Sequence, residues 1–139
     1  GAINDGMPAI AECGGFLYLH DTLQDLNGRG HRMAGVIKGR GEKSQQMGNF
    51  GYVTLTARED NLLCRAGESI NAHEFHYWQS ETQGNGFEAR KPVSGKTWPC
   101  VHTGKNLYAG FPHVYFYGNP SFGVNFAAAC ALYGANKNA

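Results

Sequence analysis

Apolar and polar residues alternate along much of the chain, and this pattern predicts many short strands. A run of small and apolar residues at 8–11 predicts a buried strand, and the β-branched, alternating segment 52–56 predicts another. Further strands, separated by glycine or proline, are predicted at 33–37, 70–78, 86–91, 100–103 and 107–114. We expect 100–103 and 107–110 to form a hairpin, since a short glycine-containing turn joins them.

Apolar residues at helical spacing predict one helix near each end of the chain. The first is predicted to begin near Phe16 and to end near Gly28, with leucines along one side. The second is predicted to begin at Pro120, because proline suits the first turn of a helix. Its apolar side is predicted to hold Phe122, Phe126, Ala129, Cys130 and Tyr133. Together with the strands, these helices favour a sheet-rich α/β domain.

The number of predicted helices is small for a parallel sheet. Each parallel connection usually needs a crossover helix, and only one long helix is predicted before the last one. Two interpretations stay open, a mostly antiparallel α+β domain or one part of a longer chain. We favour the second, and we expect an α/β domain that is incomplete on its amino-terminal side.

Length and composition exclude several classes of protein. The chain has 139 residues, 12 Lys and Arg against 11 Asp and Glu, and 42% hydrophobic residues. The size fits one domain, the charge lacks the basic excess of nucleic-acid-binding proteins, and the apolar content excludes a disordered chain. No apolar run reaches the roughly 18 residues of a membrane span, and no secretory leader opens the sequence. We therefore expect one cytoplasmic globular domain that binds neither nucleic acid nor membrane.

The four cysteines are predicted to be free thiols. They lie at positions 13, 64, 100 and 130, with no C-x-x-C motif among them. In a chain without a secretory leader, such spacing favours thiols over disulfides. Most free cysteines are packing residues, because a buried cysteine behaves as a small hydrophobic side chain.

Cys13 lies where the strand at 8–11 is predicted to turn into a helix, and Gly14 and Gly15 follow it. Such a turn holds a nucleophile in a sparsely populated backbone conformation, with the free N–H groups of the new helix beside it. The helix N-terminus stabilises the reactive thiolate, and the Gly14 N–H can stabilise an oxyanion. The local pattern fits a buried cysteine in a glycine turn equally well.

The segment H-E-F-H at 73–76 has two interpretations that use its residue types alone. A zinc site would combine its histidines with Cys100 and His102. The segment lacks the i, i+4 helical spacing of zinc-binding H-E-x-x-H, so we predict no metal site. As a strand, it would place Glu74 and His76 on one face and its other two residues on the opposite face.

Four segments in order along the chain resemble motifs of class I, or triad-type, glutamine amidotransferase domains. They are A-E-C-G-G-F-L-Y-L at 11–19, R-M-A-G-V-I at 32–37, G-Y-V at 51–53 with A-H-E-F-H-Y at 72–77, and A-G-F-P-H-V-Y-F at 109–116. The branch that these segments resemble most is that of the corrinoid-amidating cobyrinic acid a,c-diamide synthases. The resemblance implies the flavodoxin-like three-layer α/β fold. It also implies that 1–139 is the carboxyl-terminal part of the amidotransferase domain, with the ATP-binding synthetase domain absent.

The resemblance also implies roles for individual residues. Cys13 matches the nucleophile that attacks the glutamine carboxamide, and His113 matches the histidine that raises its nucleophilicity and protonates departing ammonia. Many class I members carry a glutamate two residues after this histidine, but Tyr115 stands there, which is consistent with a Cys–His dyad. Ala72 and Gly110 are further departures from the family's motifs. Oxyanion or substrate-binding roles are implied for Gly14, Gly15, His73, Glu74, His76 and Tyr115.

The function implied by the resemblance is the glutaminase part of an ATP-driven amidation of corrinoid carboxylates in cobalamin biosynthesis. Glutamine would be hydrolysed through a cysteine thioester, and the ammonia would pass to the synthetase domain of the same protein, which uses ATP and Mg²⁺. We expect no cofactor in this segment itself and weak or no activity in isolation. Two alternatives stay open, a non-catalytic binding or interaction module on the same fold and a cysteine amidase of other specificity. We also expect the chain to associate, most simply as a two-fold dimer whose interface covers the unpaired edge of the strand at 8–12 or the nearby helices.

Overall fold

The computed structural model describes residues 1–46 and 48–139. Within them the chain forms short strands, two α-helices and one 3-10 helix. In chain order these are β1 (Ala9–Glu12), α1 (Gly14–Tyr18), β2 (His20–Gln24), β3 (Gly30–Arg32), β4 (Ile37–Lys43), β5 (Gly51–Ala57), β6 (Ser69–Glu74), β7 (Trp78–Ser80), β8 (Phe87–Arg90), β9 (Thr97–Cys100), β10 (His102–Thr103), β11 (Leu107–Gly110), β12 (His113–Val114), the 3-10 helix (Phe116–Gly118) and α2 (Pro120–Lys137). Neither α-helix combines the length and hydropathy needed to cross a membrane.

The described strands form three sheets, of which the five-stranded one is antiparallel and the other two are mixed. Their orders are β1-β11-β10, β12-β6-β5-β8-β9 and β3-β2-β4-β7. The pairs β1–β11 and β2–β4 are parallel, and the other named pairs are antiparallel. The predicted α/β class is confirmed, and so is the hairpin, which is formed by β10 and β11.

Two hydrophobic clusters hold these sheets together. The larger lies against one face of β5, β6 and β8, where alternate side chains such as Leu55, Ile70 and Phe87 are buried. The smaller surrounds α1, where Phe16 and Phe111 pack edge to face with ring centroids 5.0 Å apart. Phe111 is the first residue after β11. The smaller cluster therefore fixes both the helix after Cys13 and the segment that leads to His113.

The predicted helix from Phe16 to Gly28 is wrong beyond its first turn. The helix ends at Tyr18, and β2 begins at His20. His20 is fully buried, and its ring nitrogens bond the Phe16 carbonyl at 2.9 Å and the Ser80 hydroxyl at 2.6 Å. These contacts and the pairing of β2 with β3 and β4 outweigh the helical spacing of the leucines.

Other predicted strands prove to be shorter or divided. Residues 33–36 form a loop whose N–H groups bond carbonyls of residues 18–21, and β4 begins only at Ile37. The strand predicted at 100–103 is interrupted at Val101, which has a positive φ of 68°. The segments 70–78 and 107–114 each divide into two strands that lie in different sheets. The strand at 52–56 and the start of the last helix at Pro120 are confirmed.

All four cysteines are free, as predicted, but their environments differ. Burial raises the pKa of the Cys64 thiol to about 11 and that of Cys100 to about 12, from an ordinary 9.0. Cys130 is exposed on α2, although the helical pattern predicts it on the packed side. Phe122 is buried as predicted, and Phe126 and Ala129 are partly buried beside it.

These buried thiols predict a loss of stability at alkaline pH. Both pKa values are raised in the folded state, so the stabilisation is complete below pH 9 and is lost as the pH rises from about 9 to 12. Each group contributes up to about 1.4 kcal/mol per pH unit within its range. Urea unfolding between pH 8 and 11 should show a shallower decline in Cys100→Ala than in the native chain. Cys130→Ala is the control and should decline as the native chain does.

The position of β1 bears on the expected dimer. Among the described strands it pairs only with β11, so its other edge is unpaired. An unpaired edge is a template for a second chain, and the dimer stays a prediction. Light scattering at high micromolar concentration should give the mass of two chains. A clean monomer there would contradict this expectation.

Candidate active site

The turn that carries Cys13 has the backbone geometry predicted for a nucleophile. Cys13 lies between the end of β1 and the start of α1, with φ 50° and ψ −107°. Its N–H bonds the Gly110 carbonyl at 2.9 Å, and its carbonyl accepts the Leu17 N–H at 3.0 Å. A non-glycine residue in such a conformation carries about 1–3 kcal/mol of strain, and strained residues cluster at functional sites.

Gly14 and Gly15 open the helix after Cys13. A Cβ atom placed on Gly14 would lie within 4 Å of no described residue beyond its neighbours in the chain. A Cβ atom placed on Gly15 would lie 3.8 Å from the Ala11 Cβ. The Gly14 N–H acts on the Cys13 sulfur as a hydrogen-bond donor. A substrate carbonyl can therefore approach this turn, and a backbone donor lies beside the sulfur. Their roles in oxyanion and substrate binding stay predictions.

The Cys13 thiol is held in its protonated form by its surroundings. The sulfur lies 3.7 Å from the Phe75 carbonyl oxygen. Burial raises the pKa of the thiol above its ordinary value, the Gly14 N–H opposes this, and the carboxylates of Glu74 and Glu12 raise it further. Because the thiolate is the nucleophilic form, this cysteine needs a base to become reactive at neutral pH.

His113 reaches a carboxylate that the sequence motifs do not predict. It begins β12, two residues after the buried Phe111, and pairs with His73 of β6. Its Nδ1 lies 2.7 Å from Oε2 of Glu12, the residue directly before Cys13. An ionised carboxylate only accepts hydrogen bonds, so this contact favours a proton on Nδ1, and a ring protonated only there keeps its lone pair on Nε2.

The segment 73–76 alternates as predicted. Glu74 and His76 are buried, while His73 and Phe75 on the other face are more exposed. His76 Nε2 lies 3.0 Å from Glu74 Oε1, and the other ring nitrogen lies against the Trp78 carbonyl oxygen. No group of three or more potential metal ligands occurs in the described part of the chain.

One oxygen of the buried pair has no partner. Glu74 is 1% exposed, and its Oε2 makes no hydrogen bond to any residue that the structure describes. The His76 ring stacks on Phe111 with centroids 3.7 Å apart, which fixes the pair against the smaller hydrophobic cluster. A buried, unsatisfied carboxylate oxygen is a strong acceptor for a ligand N–H group.

The predicted residues lie in two neighbouring groups. One contains Cys13 with Gly14 and Gly15 after it, and Glu74, whose charge acts on the sulfur and whose side chain contacts His76. The other lines a cleft of about 560 Å³, whose walls include His73, His113 and Tyr115 but not Cys13. Glu12 joins the two groups, because it precedes Cys13 and binds His113.

Glu12 is a residue of the site that the sequence motifs do not predict. Its only signal in the sequence is a carboxylate directly before the candidate nucleophile, at the carboxyl end of a strand. The register of β1 against β11 brings it close to His113, because Glu12 pairs with Gly110, three residues before that histidine.

One departure from the family's motifs has a structural reason. A Cβ on Gly110 would lie 2.8 Å from Val101 Cγ2 and 3.1 Å from Val101 Cα. Val101 is fully buried at the break between β9 and β10. Glycine therefore fits this position, where the family's motif has serine.

The chain is similar to known proteins over nearly its whole length. Residues 1–121 match the model of the CobB/CobQ-like glutamine amidotransferase domain. Similar proteins include the cobyrinate a,c-diamide synthase of Caldanaerobacter subterraneus (34% identical, covering 96% of this chain and 30% of the relative) and that of Clostridium acetobutylicum (35%, 86% and 27%). The corresponding Salmonella typhimurium protein is 34% identical over 89% of this chain and 28% of its own length. The chain thus spans somewhat under a third of these relatives, and it belongs to the family of CobB/CobQ-like glutamine amidotransferase domains.

Proposed function

We propose that this chain is the glutaminase unit of a glutamine-dependent amidotransferase that amidates corrinoid carboxylates in cobalamin biosynthesis. The observation that carries the proposal is Cys13 itself, held at φ 50° between β1 and α1 with the Gly14 N–H beside its sulfur. The three similar proteins named above are cobyrinate a,c-diamide synthases, which supports the choice of acceptor.

In the proposed reaction, His113 takes the Cys13 proton and the thiolate attacks the carboxamide carbon of glutamine. The oxyanion is stabilised by the Gly14 N–H and one further donor. The carbon–nitrogen bond then breaks, and the imidazolium of His113 gives its proton to the departing ammonia. Water hydrolyses the glutamyl thioester, which releases glutamate and regenerates the thiol.

The amino-acid end of glutamine is proposed to bind between the two groups of residues. Gly15, His73, His76 and Tyr115 contribute to the walls of the site. The free Oε2 of Glu74 accepts the α-ammonium group, because it is the buried acceptor without a partner among the described residues.

The ammonia is proposed to act outside this chain. In this scheme a synthetase domain of the same protein activates the corrinoid carboxylate with ATP and Mg²⁺, and no step in the chain's own chemistry runs through either. The chain spans 27–30% of the three relatives' length, which leaves most of each relative for such a unit. A cytoplasmic location follows from this proposal.

A comparison of substrates tests the proposed function against its alternatives. Assayed together with the synthetase domain proposed for the same protein, the chain is expected to release ammonia from L-glutamine in preference to L-asparagine and to simple aliphatic amides. Equal hydrolysis of these amides would favour a cysteine amidase of other specificity. Reversible glutamine binding without ammonia release, and without reaction of Cys13, would favour a non-catalytic binding module.

Glu74→Gln tests the proposed contact with the ammonium group. We expect the KM for glutamine to rise about tenfold, because a charged hydrogen-bond acceptor is lost. The KM for glutaramate, the same amide without its amino group, should stay unchanged. Glu88→Gln, at an exposed position on β8, is the matched control. A parallel loss with both substrates would contradict the contact.

A further inference from the structure

The place of the orienting acid, directly after β12, is occupied by a tyrosine. Tyr115 stands two residues after His113 in extended backbone, and its ring is 58% exposed. Its side chain is a phenol and not a carboxylate, so it cannot fix the histidine tautomer by accepting a charge-assisted hydrogen bond. Any acid that orients His113 must therefore come from another element.

Glu12 reaches His113 from the neighbouring sheet. β1 runs parallel to β11 with Glu12 opposite Gly110, and the chain leaves Gly110 through Phe111 and Pro112 to His113. Phe111 is 2% exposed and packs against both Phe16 and His76. The approach of His113 to the end of β1 is thus fixed by a buried side chain.

We propose that Glu12, the residue directly before the nucleophile, is the positioning acid of His113. The inference rests on the proposed function. Glu12 takes the part that a glutamate two residues after the histidine plays in many class I members. Its carboxylate touches neither substrate nor the reacting atoms, and it acts through the imidazole.

The contact has two chemical consequences. It keeps the proton of neutral His113 on Nδ1, which leaves Nε2 as the base for the Cys13 thiol. It also stabilises the imidazolium that forms when that proton is transferred. His113 and Glu12 are 48% and 21% exposed at their side chains, so water weakens the interaction relative to a buried pair.

Glu12 also acts on Cys13 in the opposite direction. Its negative charge raises the pKa of the thiol, after the larger contributions of burial and of Glu74. Removing the charge should therefore favour the resting thiolate while it impairs the histidine. These opposite effects separate positioning from a merely structural role.

Glu12→Gln is the decisive variant, since its amide can donate to Nδ1 and stabilise the wrong tautomer. We expect the kcat for glutamine hydrolysis to fall about 100-fold with little change in KM. This loss is smaller than the roughly 10⁴-fold drop in kcat that follows replacement of a buried triad acid by its amide. Alkylation of Cys13 by iodoacetamide, followed by peptide mass, should stay equal or become faster. Glu88→Gln should leave both rates unchanged.

Nitrogen-15 NMR of the His113 ring in the native chain supplies a measurement that does not depend on how the variant folds. We expect the neutral ring to be protonated at Nδ1 and to lose that preference in Glu12→Gln. A ring protonated at Nε2 in the native chain would overturn the inference, as would native hydrolysis in the variant. If the rates of glutamine hydrolysis and of Cys13 alkylation fell by the same factor in Glu12→Gln, Glu12 would have a structural role, and the inference would be overturned too. Failure of the native Cys13 to react with the chloroketone analogue of glutamine would instead refute the proposed function.

Discussion

Cys13→Ala is expected to abolish glutamine hydrolysis, with a loss of at least about 10³-fold. No other cysteine can replace its sulfur, since Cys64 and Cys100 are buried with raised pKa values and Cys130 lies exposed on α2. Release of glutamate, measured with Cys130→Ala as the control, checks this. Residual hydrolysis above about a tenth of the native rate would show that another group carries the chemistry.

Cys13→Gly should abolish activity too, but with a different effect on stability. Glycine adopts a positive φ without strain, whereas cysteine at φ 50° carries about 1–3 kcal/mol. Glycine also costs conformational entropy on folding, which offsets part of this gain. We expect the free energy of unfolding in urea to be about 1 kcal/mol higher for Cys13→Gly than for Cys13→Ala. Equal stability of the two variants would mean that the turn stores no strain at this residue.

His113→Gln is expected to lower kcat for glutamine about 10²–10³-fold, because it removes the base for Cys13 and the acid for ammonia. The chain offers a matched control in His31, which makes a 2.8 Å contact with Asp25 at an exposed position on β3. His31→Gln removes a similar histidine–carboxylate pair and should leave kcat unchanged.

The pH dependence of glutamine hydrolysis by the native chain and by His113→Gln is a second measurement of the role of His113. Native hydrolysis uses His113 as the base, whereas His113→Gln must rely on hydroxide-driven ionisation of a thiol whose pKa is raised. The residual rate of the variant should therefore keep rising through pH 9. A variant profile that parallels the native one would exclude His113 as the base.

The strand-to-helix turn at Cys13 could be predicted from sequence because its determinants are local. A buried strand, a cysteine and two glycines within eight residues specify both the turn and its donor group. The same holds for the start of α2 at Pro120 and for β5. In each case residues close together in the sequence carry enough signal to predict the element.

The partner of His113 could not be predicted in this way. Glu12 and His113 are separated by 101 positions, and their contact depends on the register of β1 against β11. The sequence places Tyr115 where a local acid would stand, which points toward a dyad. Only the pairing of two distant strands brings the carboxylate to the imidazole.

The mistaken helix after Tyr18 has the same origin. Its leucines fit a helical period, but Leu23 belongs to β2 and packs with the smaller hydrophobic cluster from a strand. The strand is stabilised by hydrogen bonds to β3 and β4, which lie beyond the window in which periodicity is assessed. Tertiary pairing thus overrides a weak local preference.

Labelling with the chloroketone analogue of glutamine shows whether Cys13 is the nucleophile that attacks glutamine, because the attacking sulfur displaces chloride and marks itself. We expect peptide mass to find Cys13 modified before Cys130, although Cys130 is the more exposed thiol. Free L-glutamine should slow this reaction, and L-asparagine should not. Modification of Cys130 first, with no protection by glutamine, would exclude Cys13 as that nucleophile.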